Sequence, residues 1–551
     1  MKRTYSASVP ERRGWPWLVL PLAVLGVAGA ALLLAGPLTV RPGGGEAQDA
    51  AEQALILDDE ELQAAEPAVT SGVLPVGDAT PPPGFFAPPA RALAVDRGRL
   101  ERALAAAAGR GQGASIGIHV LDLDSGESVF GRSADEPSLL ASNTKIFTTG
   151  AALEAFGPGH FLETRLLARG RVDEAGVLQG DLAVVGGGDP TFSWRQTREG
   201  DSYAAFRGWA AALRDLGVHE VAGSLYLDHG LFVEPREHPD WDPAKRMRWY
   251  QAPVDALAFN ENTVEVYAEP ASRAGMPARV ALRPDLAAFH LSSTVLTSPS
   301  WKGNRLLVNR KGEAEFTVAG GVYLRAKKVD LDITVEDPVA YFGEALAAAL
   351  AEEGVAVRGQ RRPVDVLPGL AWAPVAVHRT MLYDVVEITN HESQNLFAET
   401  LLKLVGARRC GAGSWTRGSQ AVTELARSLG VEGDGLTLHD GSGLSRENRS
   451  TPRQMTAFLA GMARQPVRDA FVASMPTGGE QGTSLEKRLE DPPYPSSFYA
   501  KTGTLTGVST LSGYARGSSG RLYAFSVLTR GGVWGGRQVQ DAVVRALVDH
   551  G

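Results

Sequence analysis

The sequence predicts an α+β protein: an antiparallel sheet with helices on both faces and a helical subdomain, interrupted by a large β-rich insertion. A transmembrane helix and a disordered linker precede it. Three observations predict this. Near the carboxyl end, 500–528 reads as successive strands broken by turns, and an amphipathic helix over Gln538–Val548 follows to cover them. Over 114–156 a strand, a tight turn, a second strand and an apolar helix come in succession. Between these blocks, 167–374 is rich in short alternating strands. At 551 residues the chain exceeds one ordinary domain.

The elements follow in chain order. Residues 1–13, with Lys2, Arg3, Arg12 and Arg13, read as a cytoplasmic tail. The stretch 14–40 carries no charge, and its core, Leu18 to Ala35, is long enough to span a bilayer. Basic residues ahead of it place the tail inside and the remainder outside. A cleaved signal peptide has a shorter apolar core and a small-x-small site. The sequence therefore favours an uncleaved anchor at the outer face of the cytoplasmic membrane over a secreted product. Residues 41–90 are rich in Pro, Gly, Ala and acid, and read as a disordered tether. A removed pro-segment is the alternative.

Most of the formal net charge of −8 sits in that tether, where no basic residue occurs between Arg41 and Arg91. The remainder is close to neutral, with no basic patch of the kind nucleic acid requires. The single cysteine, Cys410, cannot form an intramolecular disulfide and reads as a buried helix-end residue.

The domain that follows is split, 91–166 and 375–551. Its first part gives a helix, the strand Ala114–Leu123, a turn at Asp124-Ser125-Gly126, a second strand and a helix over Ala141–Phe156. Its second part supplies a helical half and the rest of the sheet, with a turn at Gly517 to Gly520. Within the insertion 167–374, strands are expected at Asp181–Val185, Ala278–Leu282, Arg305–Val308 and Val329–Val335.

Three short motifs fall on this frame: Ser142-Asn143-Thr144-Lys145, Ser393-Gln394-Asn395 and Lys501-Thr502-Gly503. A serine hydroxyl is a weak nucleophile until a neighbouring base takes its proton. On a helix, Ser142 and Lys145 share one face. Ser142 lies in its first turn, where the dipole favours developing negative charge. Lys145, among apolar neighbours and near a second cation, can lose its proton near neutral pH and act as a base. Each motif alone is weak, because a serine at a helix start is commonly an N-cap. In this order they describe a serine acyl-transfer site. A phosphate-binding loop is excluded at Lys501, because Ala500 stands where glycine is needed.

With these motifs stand Val185 to Thr191 (Val-Gly-Gly-Gly-Asp-Pro-Thr), Ala252 to Leu257, Phe259 to Asn262, Asn395 to Leu402 and Asp440 to Ser445. On them the chain, from about Ala90 to Gly551, resembles the penicillin-binding D-alanyl-D-alanine carboxypeptidases of the DacB type. These are the low-molecular-mass class C penicillin-binding proteins, peptidase family S13. The resemblance implies a serine beta-lactamase/DD-peptidase-like fold with two inserted domains. It implies Ser142 as the acylated nucleophile, Lys145 as its base and Ser393 as the proton relay to the leaving amine. Asn395 then holds Lys145 and the substrate amide. Lys501 is the second cation, lowering the base's pKa and drawing in the terminal carboxylate, which Thr502 and Thr504 bind beside Gly503. The backbone N–H groups of Ser142 and Thr504 form the oxyanion hole. The implied substrates are peptidoglycan stem peptides, with beta-lactams as inhibitors and no cofactor. Carboxypeptidase and endopeptidase action both cut a D,D-peptide bond and stay open at this point. Shaping access and binding the wall stay open for the insertion.

One departure is His391, where the family commonly has lysine two residues before Ser393. It is expected at the rim, altering substrate contacts. The other histidines are scattered, with no spacing suited to a metal. Gly186 to Gly188 is a tight turn, and Asp440-Gly441-Ser442-Gly443 a loop wall near the site. Two rival functions remain: a beta-lactamase-like hydrolase, for which no motif supplies a deacylation base, and a non-catalytic peptidoglycan-binding protein.

Overall fold

Both ends of the split domain meet in one five-stranded antiparallel sheet. Its strands run, edge to edge, Phe498–Leu505, Val508–Arg516, Leu522–Arg530, Ser115–Asp122 and Ser128–Arg132. A computed structural model describes residues 68–70, 85–87, 94–111, 115–197, 200–233, 235–312, 314–369 and 371–551. The central strands are buried almost throughout because both faces are covered. Side chains alternate between faces along a strand. Leu511, Phe525 and Val527 therefore pack with Leu100, Leu104, Val543 and Leu547 of the helices Arg97–Ala108 and Val533–His550. Tyr514, Ala524 and Leu528 face the helical half instead.

That half comprises the helices Thr144–Phe156, Leu382–His391, Asn395–Cys410, Trp415–Ser428 and Pro452–Met462. The last begins on a readable signal: Thr451 and Gln454 form a reciprocal capping box, with Pro452 at the first helical position. Asn395–Cys410 ends at Gly411, whose φ of +74° suits a glycine cap. Cys410 is its last residue, half-buried rather than buried.

The insert departs from expectation at its edges. The boundary at 166/167 cuts the strand Phe161–Val172, and that at 374/375 cuts Ala373–Met381. These two strands pair with each other, so the insert's sheet begins at Phe161 and ends at Met381. It has seven strands of the insert, including Val177–Val185, and Ala68–Thr70 as an eighth, and a three-stranded and a four-stranded sheet accompany it. The expected strands appear as Arg279–Arg283, Arg305–Lys311 and Val329–Thr334. The insert is not purely β-rich. The helices Ala204–Asp215 and Pro338–Glu352 pack Phe206, Trp209, Phe342 and Leu346 into its core.

The anchor expected over 14–40 and the tail 1–13 lie outside the described residues. Among the described residues no helix is long and apolar enough to cross a membrane. The disordered reading of 41–90 fails at its two described stretches. Ala68–Thr70 pairs in parallel with Ala376–His378. Phe85 is buried, its ring edge-on to Tyr499 at 5.1 Å, and Phe86 meets Tyr514 at 5.4 Å. Arg516 donates to the carbonyls of Phe85 and Ala87. The physical reason is local: Phe85 and Phe86 are the sole aromatic residues of 41–90, and burying them outweighs the tether's polar preference.

Candidate active site

The three motifs converge where the helical half meets the edge strand Phe498–Leu505. Ser142 occupies a 3₁₀ turn, Ala141–Asn143, and the α-helix proper starts at Thr144. Ala141 has φ +47°, a region unfavourable for any residue with a Cβ. Thr144 Oγ1 donates to its carbonyl at 2.9 Å. Gly443, at φ +90°, passes so close that a Cβ there would lie 1.9 Å from the same oxygen. In the orientation that satisfies both of its ends, the buried Asn143 amide donates to Lys501 O and Thr510 Oγ1, each at 2.9 Å, and accepts from Ser512 Oγ at 2.7 Å. The Ser142 turn is thus fastened to the Lys501 strand. A Cβ on Gly503 would come within 2.9 Å of Ser142 N, so only glycine lets the strand lie against the Ser142 backbone.

Lys145 is wholly buried and has three neighbours for its amine: Ser142 Oγ at 3.2 Å, Asn395 Oδ1 at 2.7 Å and Ser442 O at 2.8 Å. Two of these are pure acceptors; the serine oxygen can also donate. A neutral lysine gives its two hydrogens to Asn395 and Ser442 and turns its lone pair to the Ser142 hydroxyl, the geometry of a general base. Burial lowers the Lys145 pKa from 10.5 to about 7, against the opposing pull of Glu399 and Asp440. The sequence reading assigned part of this depression to Lys501. Burial is the largest cause, and Lys501's own pKa is driven well below the ordinary lysine value by burial and then by Lys145, a repulsion that acts between the two amines.

Lys501 Nζ donates to Ser393 Oγ at 3.0 Å and to Thr502 O at 3.1 Å. Thr502 Oγ1 lies 2.5 Å from Ser484 Oγ, and Thr504 is exposed at the strand's end. Asn395 Nδ2 donates to Tyr250 O at 2.7 Å, so the insert reaches the site directly. Ser142, Lys145 and Asn395 therefore form one hydrogen-bonded group and Lys501 with Ser393 a second, and Thr502, Gly503 and Thr504 follow Lys501 along the edge strand.

The parts played by Glu399 and the Ser442 carbonyl were not singled out from sequence. Beneath Lys145, the Asp440-Gly441-Ser442-Gly443 loop acts through a carbonyl rather than as a wall alone. It is held by Glu399, which is fully buried and accepts from Trp415 Nε1, Gly441 N and Ser442 N, each at 2.8 Å. Burial, with Asp440 nearby, raises the Glu399 pKa to about 7. Asp440 in turn accepts from Gly443 N at 2.8 Å and from Trp241 Nε1, of the insert, at 2.9 Å. Glu399 stands four residues after Asn395, one helical turn on, and that spacing was the available signal. His391 Nδ1 lies 3.1 Å from Glu480 Oε1, half-buried two residues before Ser393. Among the described residues no three His, Cys, Asp or Glu side chains are placed to hold a metal.

With this geometry in hand, comparison with known proteins is specific. Residues 97–549 match the family described as D-Ala-D-Ala carboxypeptidase 3 (S13). A D-alanyl-D-alanine carboxypeptidase of Actinomadura sp. (strain R39) is 34% identical over 453 residues, 80% of this chain and 82% of that protein. The D-alanyl-D-alanine carboxypeptidase DacB of Haemophilus influenzae is 25% identical over 420 residues, 75% of this chain and 85% of that one. The crystal structure of penicillin binding protein 4 (dacB) from Haemophilus influenzae superposes with a TM-score of 0.71 at 22% identity, covering 81% of this chain and 99% of that one; it shares the fold.

Proposed function

The chain belongs to the D-Ala-D-Ala carboxypeptidase 3 (S13) family, and on that premise we propose that Ser142 is the residue it acylates. The protein is a serine-type D-alanyl-D-alanine carboxypeptidase, a penicillin-binding hydrolase of peptidoglycan stem peptides. The observation that carries the residue assignment is the buried, deprotonatable Lys145 with its lone pair available to Ser142 Oγ.

The steps follow from that geometry. Neutral Lys145 takes the Ser142 proton as Oγ attacks the carbonyl of the penultimate D-alanine. Charge then develops on the carbonyl oxygen, where the N–H groups of Ser142 and Thr504 are the proposed donors; Gly503's fit against Ser142 N supports this. Lys501 and the Thr502 and Thr504 hydroxyls receive the terminal carboxylate. Ser393, in contact with Lys501, passes a proton to the departing D-alanine amine and regains one from the Lys145 ammonium, so the Ser142 proton ends on the amine and Lys145 is neutral again. Water then releases the acyl group, completing hydrolysis. The tightness of Asn395 on Lys145 supports its role as holder of the base.

Location is a further part of the proposal: an uncleaved anchor at 14–40 holding the enzyme at the outer face of the cytoplasmic membrane, supported by the charge-free run and the basic residues before it. Fractionation of the full chain tests it, since recovery in the soluble fraction would overturn the anchor.

The decisive experiment on the site exposes the full chain to benzylpenicillin and reads its intact mass, followed by peptide mapping. One adduct on Ser142 is expected. An adduct on another residue would overturn the assignment, and none in folded protein would favour a wall-binding role or a site closed to beta-lactams. Rapid loss of the adduct with turnover would favour the beta-lactamase reading.

A further inference from the structure

We propose that Glu261 of the insert is a positioning residue for Ser393: its carboxylate grips Gln394 and so holds the Ser-x-Asn turn in the backbone shape that presents Ser393 Oγ to Lys501. The inference rests on the reading of Ser393 as the proton relay.

Two strained segments meet at this contact. Ser393 has φ +60°, left-handed backbone that a serine adopts only at a cost. Such a conformation persists where the surroundings over-determine it. Across from it, Asn260, Glu261 and Asn262 have φ of +50°, +57° and +54°. Three consecutive L-residues in that region make a turn of left-handed helix, which L chirality disfavours at every step. The turn is fixed from within. Asn260 Nδ2 donates to Thr263 O at 2.9 Å, Asn262 Nδ2 to Pro253 O at 2.9 Å, and Asn262 Oδ1 accepts from Phe259 N at 3.1 Å.

That construction aims one carboxylate at the motif. Glu261 is 6% exposed, and its Oε2 accepts from Gln394 Nε2 at 2.6 Å and from Arg195 Nη1 at 2.9 Å. Arg195 Nη2 continues to Asp332 at 2.7 Å, so the carboxylate is itself braced. Gln394 is 4% exposed, and a buried amide donating to a carboxylate forms a short, charge-assisted bond. The next residue, Asn395, donates to Tyr250 O. Both residues that follow Ser393 are therefore held by the insert. Released from Glu261, Gln394 would let Ser393 relax to the right-handed or extended region and swing its hydroxyl off Lys501.

The test is the rate of penicilloylation of the full chain, read by intact mass, for Glu261→Ala, Glu261→Gln, Gln394→Ala, the Glu261→Ala/Gln394→Ala pair and Ser393→Ala. Glu261→Ala and Gln394→Ala should each slow acylation by about tenfold to a hundredfold, the penalty of releasing left-handed strain, while the final stoichiometry stays at one adduct on Ser142. The pair should be no slower than its slower member, because both remove one interaction. Glu261→Gln keeps an oxygen for Gln394 and should stay within about threefold of the parent. A merely structural role would not give this rescue. Additive effects in the pair, a Glu261→Gln chain as slow as Glu261→Ala, or unchanged rates would overturn the inference. If Glu261→Ala does not fold, Gln394→Ala set against Glu261→Gln carries the same comparison. Ser393→Ala separates the two layers. Acylation at the parental rate there would remove the relay reading and this inference with it. Slow Ser393→Ala beside fast Glu261→Ala would overturn the inference alone.

Discussion

Around Ser142 the protein buries two lysines, Lys145 and Lys501, whereas the insert's four-stranded sheet region leaves Trp301 69% exposed and Leu307 53% exposed. Ordinary preferences are reversed in both places, for different reasons. Burying an ammonium costs several kcal/mol unless acceptors replace water, and around Lys145 they do so. The cost of burial that these acceptors leave uncompensated lowers the Lys145 pKa to about 7. Exposed apolar side chains on the insert cost little, because much of any protein surface is apolar. Energy concentrated at a few atoms marks the chemistry; a scattered apolar surface does not.

Substitutions can break or sharpen that contrast. Ser142→Ala should abolish the penicillin adduct while leaving the thermal transition in place, since it removes one oxygen from a half-buried site; a persisting adduct would overturn the nucleophile assignment. Lys145→Ala should slow acylation by about 10²- to 10⁴-fold through loss of the base, measured as the rate of adduct formation, and near-normal rates would sink the mechanism.

A change of pH should act on the same group without mutation. With the Lys145 pKa lowered to about 7, acylation should fall by about tenfold for each pH unit below that value, as the lysine takes up its proton. Glu399 titrates in the same range, so the acid limb belongs to the pair. A limb near the ordinary lysine value would show that the amine is solvated. The stability signs are opposite. Lys145 binds more protons unfolded between about 7 and 10.5, so its contribution grows as pH rises there. Glu399 binds more protons folded between 4.5 and about 7, so its contribution is lost as pH rises through that window.

At the small end, Trp301→Ala should change the acylation rate by less than about twofold and stability by no more than about 0.5 kcal/mol, as surface substitutions do. A large kinetic effect there would erase the contrast between the two regions.

The sequence made the chemistry legible and the scaffold less so. Ser142, Lys145, Ser393, Asn395 and Lys501 could be singled out as candidates because acyl transfer demands particular side chains in a particular order, and the fold brings them to one place. Ser442 and Tyr250 could not, because they act through carbonyl groups that every residue possesses. The strand pairing of Phe161–Val172 with Ala373–Met381 joins segments far apart in the chain, and no local pattern announces it. Pro338–Glu352 was readable in principle: Asp337 caps it and Pro338 opens it, the signature of a helix start. Alternating apolar residues nearby drew attention to strands instead.

The fastening of 68–70 and 85–87 has a mechanical consequence. A pull applied from the N-terminal side meets two grips in series, first on the insert's strand Ala376–His378 and then at Tyr499, two residues from Lys501. Tension is thereby shared between the insert and the catalytic edge strand. A fragment trimmed to begin at Arg91 would keep every residue of the proposed site yet lose both grips, leaving an open socket beside Tyr499 and Arg516 where Phe85 had been seated.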